Sequence, residues 1–202
     1  MIINIRGTSG SGKTHTVRSF LEKHSPDLVI PGIDGRTAAH VVNYNMVPVF
    51  ILGSYGNKCG GCDTIRTQDQ VCSYVRHFSQ FGHVIFEGLL ISHSFMRYYQ
   101  LYKELHEEHG IPFVFARMDT PLETCIERVK QRRMEKGNMK PLNTKNTEGT
   151  YYSTITTAEK FSEVGVETRI INHKSDPLGW ITSVLDEDSG YLFEHSYREE
   201  RF

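Results

Sequence analysis

The sequence predicts an α/β fold in three layers, with helices on both faces of a predominantly parallel sheet of about five strands. Three observations predict it. Short β-branched apolar runs alternate with longer segments whose apolar residues recur at helical spacing. A glycine-rich turn, GTSGSGKT at residues 7–14, stands between the first strand and the first helix. The 202 residues, 38% hydrophobic and 23% charged, supply enough apolar material for one core.

The elements follow in order. Ile2 to Ile5 is a buried strand that stops at Gly7. Lys13 to about His24 is a helix, because Val17, Phe20 and Leu21 share a face, and Pro26 closes it. Leu28 to Ile30 is a short strand, and residues 35 to 45 read as helical. Pro48 to Leu52 is a strand leading into the loop GSYGNKCGGCD. Residues 67 to 80 form a helix with Val71, Tyr74, Val75 and Phe78 on one side, and His83 to Phe86 is the next buried strand. A long amphipathic helix is expected over 94–109, then a strand from Pro112 to Ala116. Pro121 suits the first turn of a helix running to about Lys136. A polar connection over 137–149, a helix near 150–163 and a last strand from Val166 to Ile171 complete the pattern. The expected domain is 1–175, with a lid at 128–149 and an extension at 176–202.

Charge and cysteine usage narrow the classes. Lys plus Arg number 23 and Asp plus Glu 24, a net charge of -1. That balance argues against a protein that coats nucleic acid. The four cysteines (59, 62, 72 and 125) are too few and too unevenly placed for a disulfide scaffold. Cys59 and Cys62 form a CxxC pair without a second one, so they read as a turn or pocket lining rather than a zinc or redox site. MIINIRG lacks a signal core, and no apolar run approaches the roughly 20 residues of a membrane span. The expected compartment is the cytoplasm, with no membrane partner.

GTSGSGKT satisfies GxxxxGK[ST] between a strand and a helix, the context in which the pattern has physical meaning. Gly7, Gly10 and Gly12 allow a close turn, and with Thr8, Ser9 and Ser11 they present backbone N–H groups to phosphates. Lys13 reaches the β- and γ-phosphates of a nucleotide, and the Thr14 hydroxyl is a ligand for Mg²⁺. Glu87 ends VIFEG on the same sheet edge, as a second metal ligand, an acceptor-positioning group or a helix cap. Asp119 reads chiefly as a helix-start cap.

Between Glu127 and Lys145 there are seven basic and two acidic residues, a local balance of +5. Arg128 and Arg132 share a helix face and can clamp a transferring phosphoryl group. Arg133 lies on a neighbouring face and can meet phosphate. The alternative is a solvated charge run. In YGNKCGGCDTIRTQDQ, residues 55–70, Asp63 is either a general base or a cap, with Thr64 beside it as a substrate or backbone contact. Arg66 and Arg36 are candidates for acceptor phosphate, Tyr55 for stacking on a base or for the core. Asn172 to Pro177 is the candidate adenine region, with His93 and His173 near the active edge.

GTSGSGKT, VIFEG and DTPLETCIERVKQRR together resemble the small P-loop kinases related to nucleoside monophosphate kinases, over Met1 to about Ile171. The resemblance implies a P-loop kinase-like fold with an arginine-bearing lid, and phosphoryl transfer from ATP with Mg²⁺. GTSGSGKT, GNKCGGCDTI, VIFEGLL and KPLNTKNT are further similar to the phage-type 5-hydroxymethyluracil DNA kinases. That likeness implies an acceptor hydroxymethyl group on a base already in DNA, in the course of thymine hypermodification inside an infected bacterial host. Asp63 then takes the proton, and Lys13, Arg128 and Arg132 stabilise the phosphoryl oxygens. No obligatory protein partner is implied. A free-nucleotide or small-metabolite kinase and a non-catalytic nucleotide-controlled interaction module are the alternatives.

Overall fold

Alternation within the strands sorts the molecule into its layers. In β1 (Ile2–Arg6) every residue is buried; Ile2 joins one apolar cluster while Ile3 and Ile5 join the other. In β6 (Phe113–Met118), Phe113 and Phe115 face the first cluster, and Val114 and Ala116 the second. A sheet apolar on both faces needs cover on both, and the helices supply it. The structure, a computed structural model, describes residues 1–56 and 60–187.

Among the described residues the sheet has seven strands, not about five. β2 (Leu28–Pro31), β3 (Thr37–Tyr44), β4 (Val47–Leu52), β5 (His83–Glu87) and β7 (Thr168–Ile171) complete it, in the order β2-β3-β4-β5-β1-β6-β7. The strands from β4 to β7 in that order are parallel, whereas β2 and β3 extend the edge as antiparallel additions. The expected helix over 35–45 is therefore corrected to β3. Tyr44 pairs with Val47 across a two-residue turn, with Asn45 at φ 50° and Met46 at φ 67°. Such turns match strand twist and usually carry glycine. A methionine in that place hides the hairpin from a reader of the sequence.

One face is covered by α1 (Lys13–His24), through Val17, Phe20 and Leu21, and by α7 over 177–187, through Ile181, Val184 and Leu185. Those three side chains are fully or almost fully buried, so the packed unit runs to residue 187 rather than stopping at 175. The rest of the expected extension, 188–202, lies outside the described residues, as does Cys59. The other face is covered by α2 (Gln68–Phe78), α3 (Leu89–Ser92), α4 (Met96–Tyr102) and α6 (Lys145–Glu163). The single helix expected over 94–109 is instead α4 followed by a π-helical turn, Lys103–Glu108. α5 (Leu122–Glu135) carries Arg128 and Arg132 as continuous helix, so the irregular connection is 136–144, shorter than the expected lid.

Arg6 fills the base of this second layer. Its guanidinium lies 5.2, 4.9 and 4.8 Å from the ring centres of Tyr98, Phe115 and Phe161. It also donates to Asn4 Oδ1 and to the Ser94 carbonyl. Burial pushes its pKa down to about 9, and the rings stand in for the missing carboxylate. Among the described residues no helix is long and apolar enough to cross a membrane.

Candidate active site

The chain turns from β1 into α1 through Gly7–Gly12, and the turn fixes its residue types. Gly10 and Gly12 sit at φ 82° and 105°, in the left-handed region that penalises side chains. A Cβ on Gly10 would also collide with the Cys125 carbonyl oxygen of α5. The loop is braced from outside: Gly7 N–H donates to Ser92 Oγ at 3.0 Å. The Thr8 hydroxyl meets α6, 3.1 Å from the Thr147 carbonyl and 2.5 Å from Thr150 Oγ1. Arg128 Nη1 donates to the Gly10 carbonyl at 3.2 Å.

Lys13 folds back over this loop, donating to the carbonyls of Gly7 at 2.6 Å and Thr8 at 3.0 Å. Burial pushes its pKa down, while Glu87 and then Asp63 pull it back up. Parallel pairing of Ile5 with Glu87 sets the end of β5 beside the loop. There the Thr14 hydroxyl donates to Glu87 Oε1 at 2.9 Å. Glu87 is 1% exposed, and burial lifts its pKa to about 7 against the pull of Lys13 and Thr14. Gly61, at φ 68°, packs so closely on this carboxylate that a Cβ would collide with it.

Asp63 stands on a short 3₁₀ turn, Cys62–Thr64, and reaches across to the start of α3. Both carboxylate oxygens accept from Leu89 N–H at 2.9 Å, and Oδ1 also accepts from Leu90 N–H at 3.3 Å. Asp63 is thus a helix cap, though of α3 rather than of the segment that follows it in sequence. It is at the same time a wall of the main cleft.

That cleft measures 710 Å³ and brings together the loop, Lys13, Thr14, Asp63, Glu87, Arg128 and Arg132. Five other expectations fall elsewhere. Arg36 lies on the β2–β3 turn, 3.8 Å from Asp34. Tyr55 is 7% exposed, with its ring against His40, so it is a core residue and not a stacking surface. The Thr64 hydroxyl is occupied locally, accepting from Ser54 N–H and donating to the Gly61 carbonyl. Arg66 is exposed and outside the cleft lining. Arg133 turns away to Asn138 Oδ1 at 3.3 Å and the Lys140 carbonyl at 3.4 Å.

The cleft lining also includes residues that the motifs did not assign, among them His15, Arg18, Leu90 and Met118. Arg18 follows Thr14 by one helical turn, a spacing that is enough to place it on the same face. Leu90 carries no signal of its own. His173 and Pro177, from the expected adenine region, are also in the lining. His173 gives both its backbone N–H and its ring to Asp119 Oδ1, at 2.6 and 3.0 Å. Burial works against the Asp119 carboxylate, yet these bonds hold its pKa below the ordinary value. Cys62 is buried in the core, where loss of water pushes its thiol pKa well up. Such a thiol is a poor nucleophile and a poor metal ligand.

The donors fit a nucleotide polyphosphate with a divalent cation. A glycine-shaped cradle, an ammonium and two guanidinium groups meet anionic oxygens, and Thr14 with Glu87 offers the hard oxygen ligands that Mg²⁺ prefers.

The family model for 5-hmdU DNA kinases matches residues 1–173. The chain belongs to this family. Among its relatives, the 5-hmdU DNA kinase of Pseudomonas phage PaMx11 is 36% identical over 169 residues, covering 82% of this chain and 87% of that protein. The 5-hmdU DNA kinase of Pseudomonas phage M6 is 32% identical, covering 64% of this chain and 71% of that one. The namesake in Bacillus phage SP10 is 27% identical over 92% of this chain, which spans only 29% of that protein. A solved deoxyadenosine kinase from M. mycoides with bound dCTP overlays at a TM-score of 0.45 and 11% identity, covering 93% of this chain and 100% of that one. That likeness is too remote to bear on function. Family membership and the P-loop α/β/α fold agree on an ATP-dependent phosphotransferase.

Proposed function

We propose that this 5-hmdU DNA kinase family member transfers the γ-phosphoryl group of ATP to the hydroxymethyl oxygen of 5-hydroxymethyluracil in DNA. One observation carries the reading: a single cleft gathers Lys13, the Thr14–Glu87 pair, Asp63, Arg128 and Arg132 in a chain of this family. Gly7 to Thr14 hold the phosphate chain through backbone N–H groups. Thr14 and Glu87 hold Mg²⁺, which when bound draws negative charge from the phosphate oxygens. Lys13, Arg128 and Arg132 meet the charge that gathers on the transferring group.

Asp63, rather than Glu87, is the base. Glu87 is 1% exposed and sits with Thr14 as a metal ligand, whereas Asp63, although it also caps α3, is exposed on the cleft wall. As the hydroxymethyl oxygen bonds to the γ-phosphorus, its proton passes to Asp63. The bond from that phosphorus to the bridging oxygen breaks, and ADP leaves with the electron pair. His173 and Pro177, which line the cleft, support assigning the adenine to the side it shares with 172–177. A base in a duplex reaches such a cleft only by leaving the stack.

The test offers γ-labelled ATP separately with DNA containing 5-hydroxymethyluracil, with the free nucleotide and with ordinary DNA. Label should enter the modified DNA and neither of the others. Label entering only the free nucleotide would overturn the polymer assignment.

A further inference from the structure

The basic run that reads as one patch in the sequence is divided by the structure into two. Arg128 and Arg132 face the cleft, while Lys136 and Lys140 on the connection between α5 and α6, and Lys145 at the start of α6, are exposed. That connection is a built turn. Gly137, at φ 72°, ends α5, its N–H donating to the Met134 carbonyl at 2.8 Å. The N–H of Asn138 donates to the Arg133 carbonyl at 2.9 Å. Asn138 Oδ1 then accepts from both Arg133 Nη2 and the Lys140 N–H, at 3.3 and 3.2 Å. Residues 136–140 line a shallow concavity open to solvent, with Met139 76% exposed at its rim.

Helix stability accounts for only one of these three charges. Lys136 suits the C-terminal end of α5, where the helix dipole favours cations. Lys145 is the first residue of α6, where the same dipole disfavours a cation by about 0.3–1 kcal/mol. No acidic residue occurs between Glu135 and Glu148, and no carboxylate pairs with any of the three lysines among the described residues. Three unneutralised cations on a shaped turn, in a chain of net charge -1, complement a regularly spaced row of anions.

We infer that Lys136, Lys140 and Lys145 form a docking surface for the phosphodiester backbone of DNA flanking the target base, with Arg133 and Asn138 as positioning residues that shape the turn. The inference rests on the proposed DNA substrate. It explains how a near-neutral protein engages a polyanion while its cleft arginines serve the phosphoryl group. Backbone contacts of this kind fix orientation and leave sequence unread.

The test measures binding of a 5-hydroxymethyluracil duplex by fluorescence anisotropy across a range of salt, for the wild type and the Lys136→Gln/Lys140→Gln/Lys145→Gln variant, alongside ATP affinity and phosphoryl transfer. The variant should bind DNA about tenfold more weakly or worse, with the slope of log K against log salt shallower by roughly two to three, at about 0.9 per lost contact. ATP affinity should hold, and the corresponding triple Lys→Arg variant should restore DNA binding. An unchanged salt slope would overturn the inference while leaving the kinase reading intact. A fall in ATP affinity matching the fall in DNA affinity would overturn it too, by placing the lysines on nucleotide phosphate. A wild type that binds DNA through these lysines yet phosphorylates none would overturn the kinase reading alone.

Discussion

The two walls of the cleft are built on different terms. On the phosphate wall, Gly7 to Thr14, the loop backbone lines the cleft, with Lys13 folded back over it and the Thr14 hydroxyl held by Glu87. On the opposite wall, where Gly60 and Asp63 stand beside Leu89 and Leu90, the polar groups hold the structure together. Thr64 ties Ser54 to Gly61, and Asp63 caps α3 from another part of the chain. The phosphate wall is therefore a local property of eight residues, whereas the opposite wall exists only after β4, β5 and α3 have come together.

Lys13→Ala probes the first wall and should have the largest effect. It removes the cation nearest the phosphates and leaves the buried Glu87 carboxyl without its counter-charge, so kcat should fall about a thousandfold or more. Single-turnover transfer from labelled ATP measures it, and a loss under tenfold would place the decisive charge elsewhere.

Asp63 has two duties on one wall, helix cap and proposed base, and two substitutions separate them. Asparagine is as good a helix cap as aspartate but is no base. Asp63→Asn should lower kcat about a hundredfold while the unfolding midpoint stays near that of the wild type. Asp63→Ala should lose the same activity and about 1 kcal/mol of stability as well. Activity retained in Asp63→Asn, with stability lost only in Asp63→Ala, would make Asp63 a cap and nothing more.

Tyr55 gives the smallest effect and the sharpest contrast with its sequence reading. Its hydroxyl is buried and has no hydrogen-bond partner among the described residues. Tyr55→Phe should leave KM for modified DNA unchanged and raise stability by up to about 1 kcal/mol, measured by urea unfolding. A marked rise in KM would return Tyr55 to the acceptor site.

The sequence was legible where structure is local. The strand–glycine turn–helix unit, Thr14 with Glu87, and the shared face of Arg128 and Arg132 all follow from motif and spacing, and all meet in the cleft. What was hidden depends on distant partners. β3 was misread because its Asn45–Met46 turn lacks glycine, and its strand character comes from pairing with β4. Tyr55 and Arg133 were given to substrate because nothing near them in sequence announces His40 or the Asn138 turn. α7 was left outside the domain because Ile181, Val184 and Leu185 find their core only across the sheet.

The connection between α5 and α6 is moored at both stems. The incoming helix is fastened to the Gly10 carbonyl through Arg128, and the outgoing helix to the Thr8 side chain through Thr147 and Thr150. Both anchor points lie in one short stretch of chain, two residues apart. The lysine turn is thereby a pendant of the phosphate loop: a displacement of that loop carries both stems with it, and the turn is registered to the nucleotide pocket without touching it.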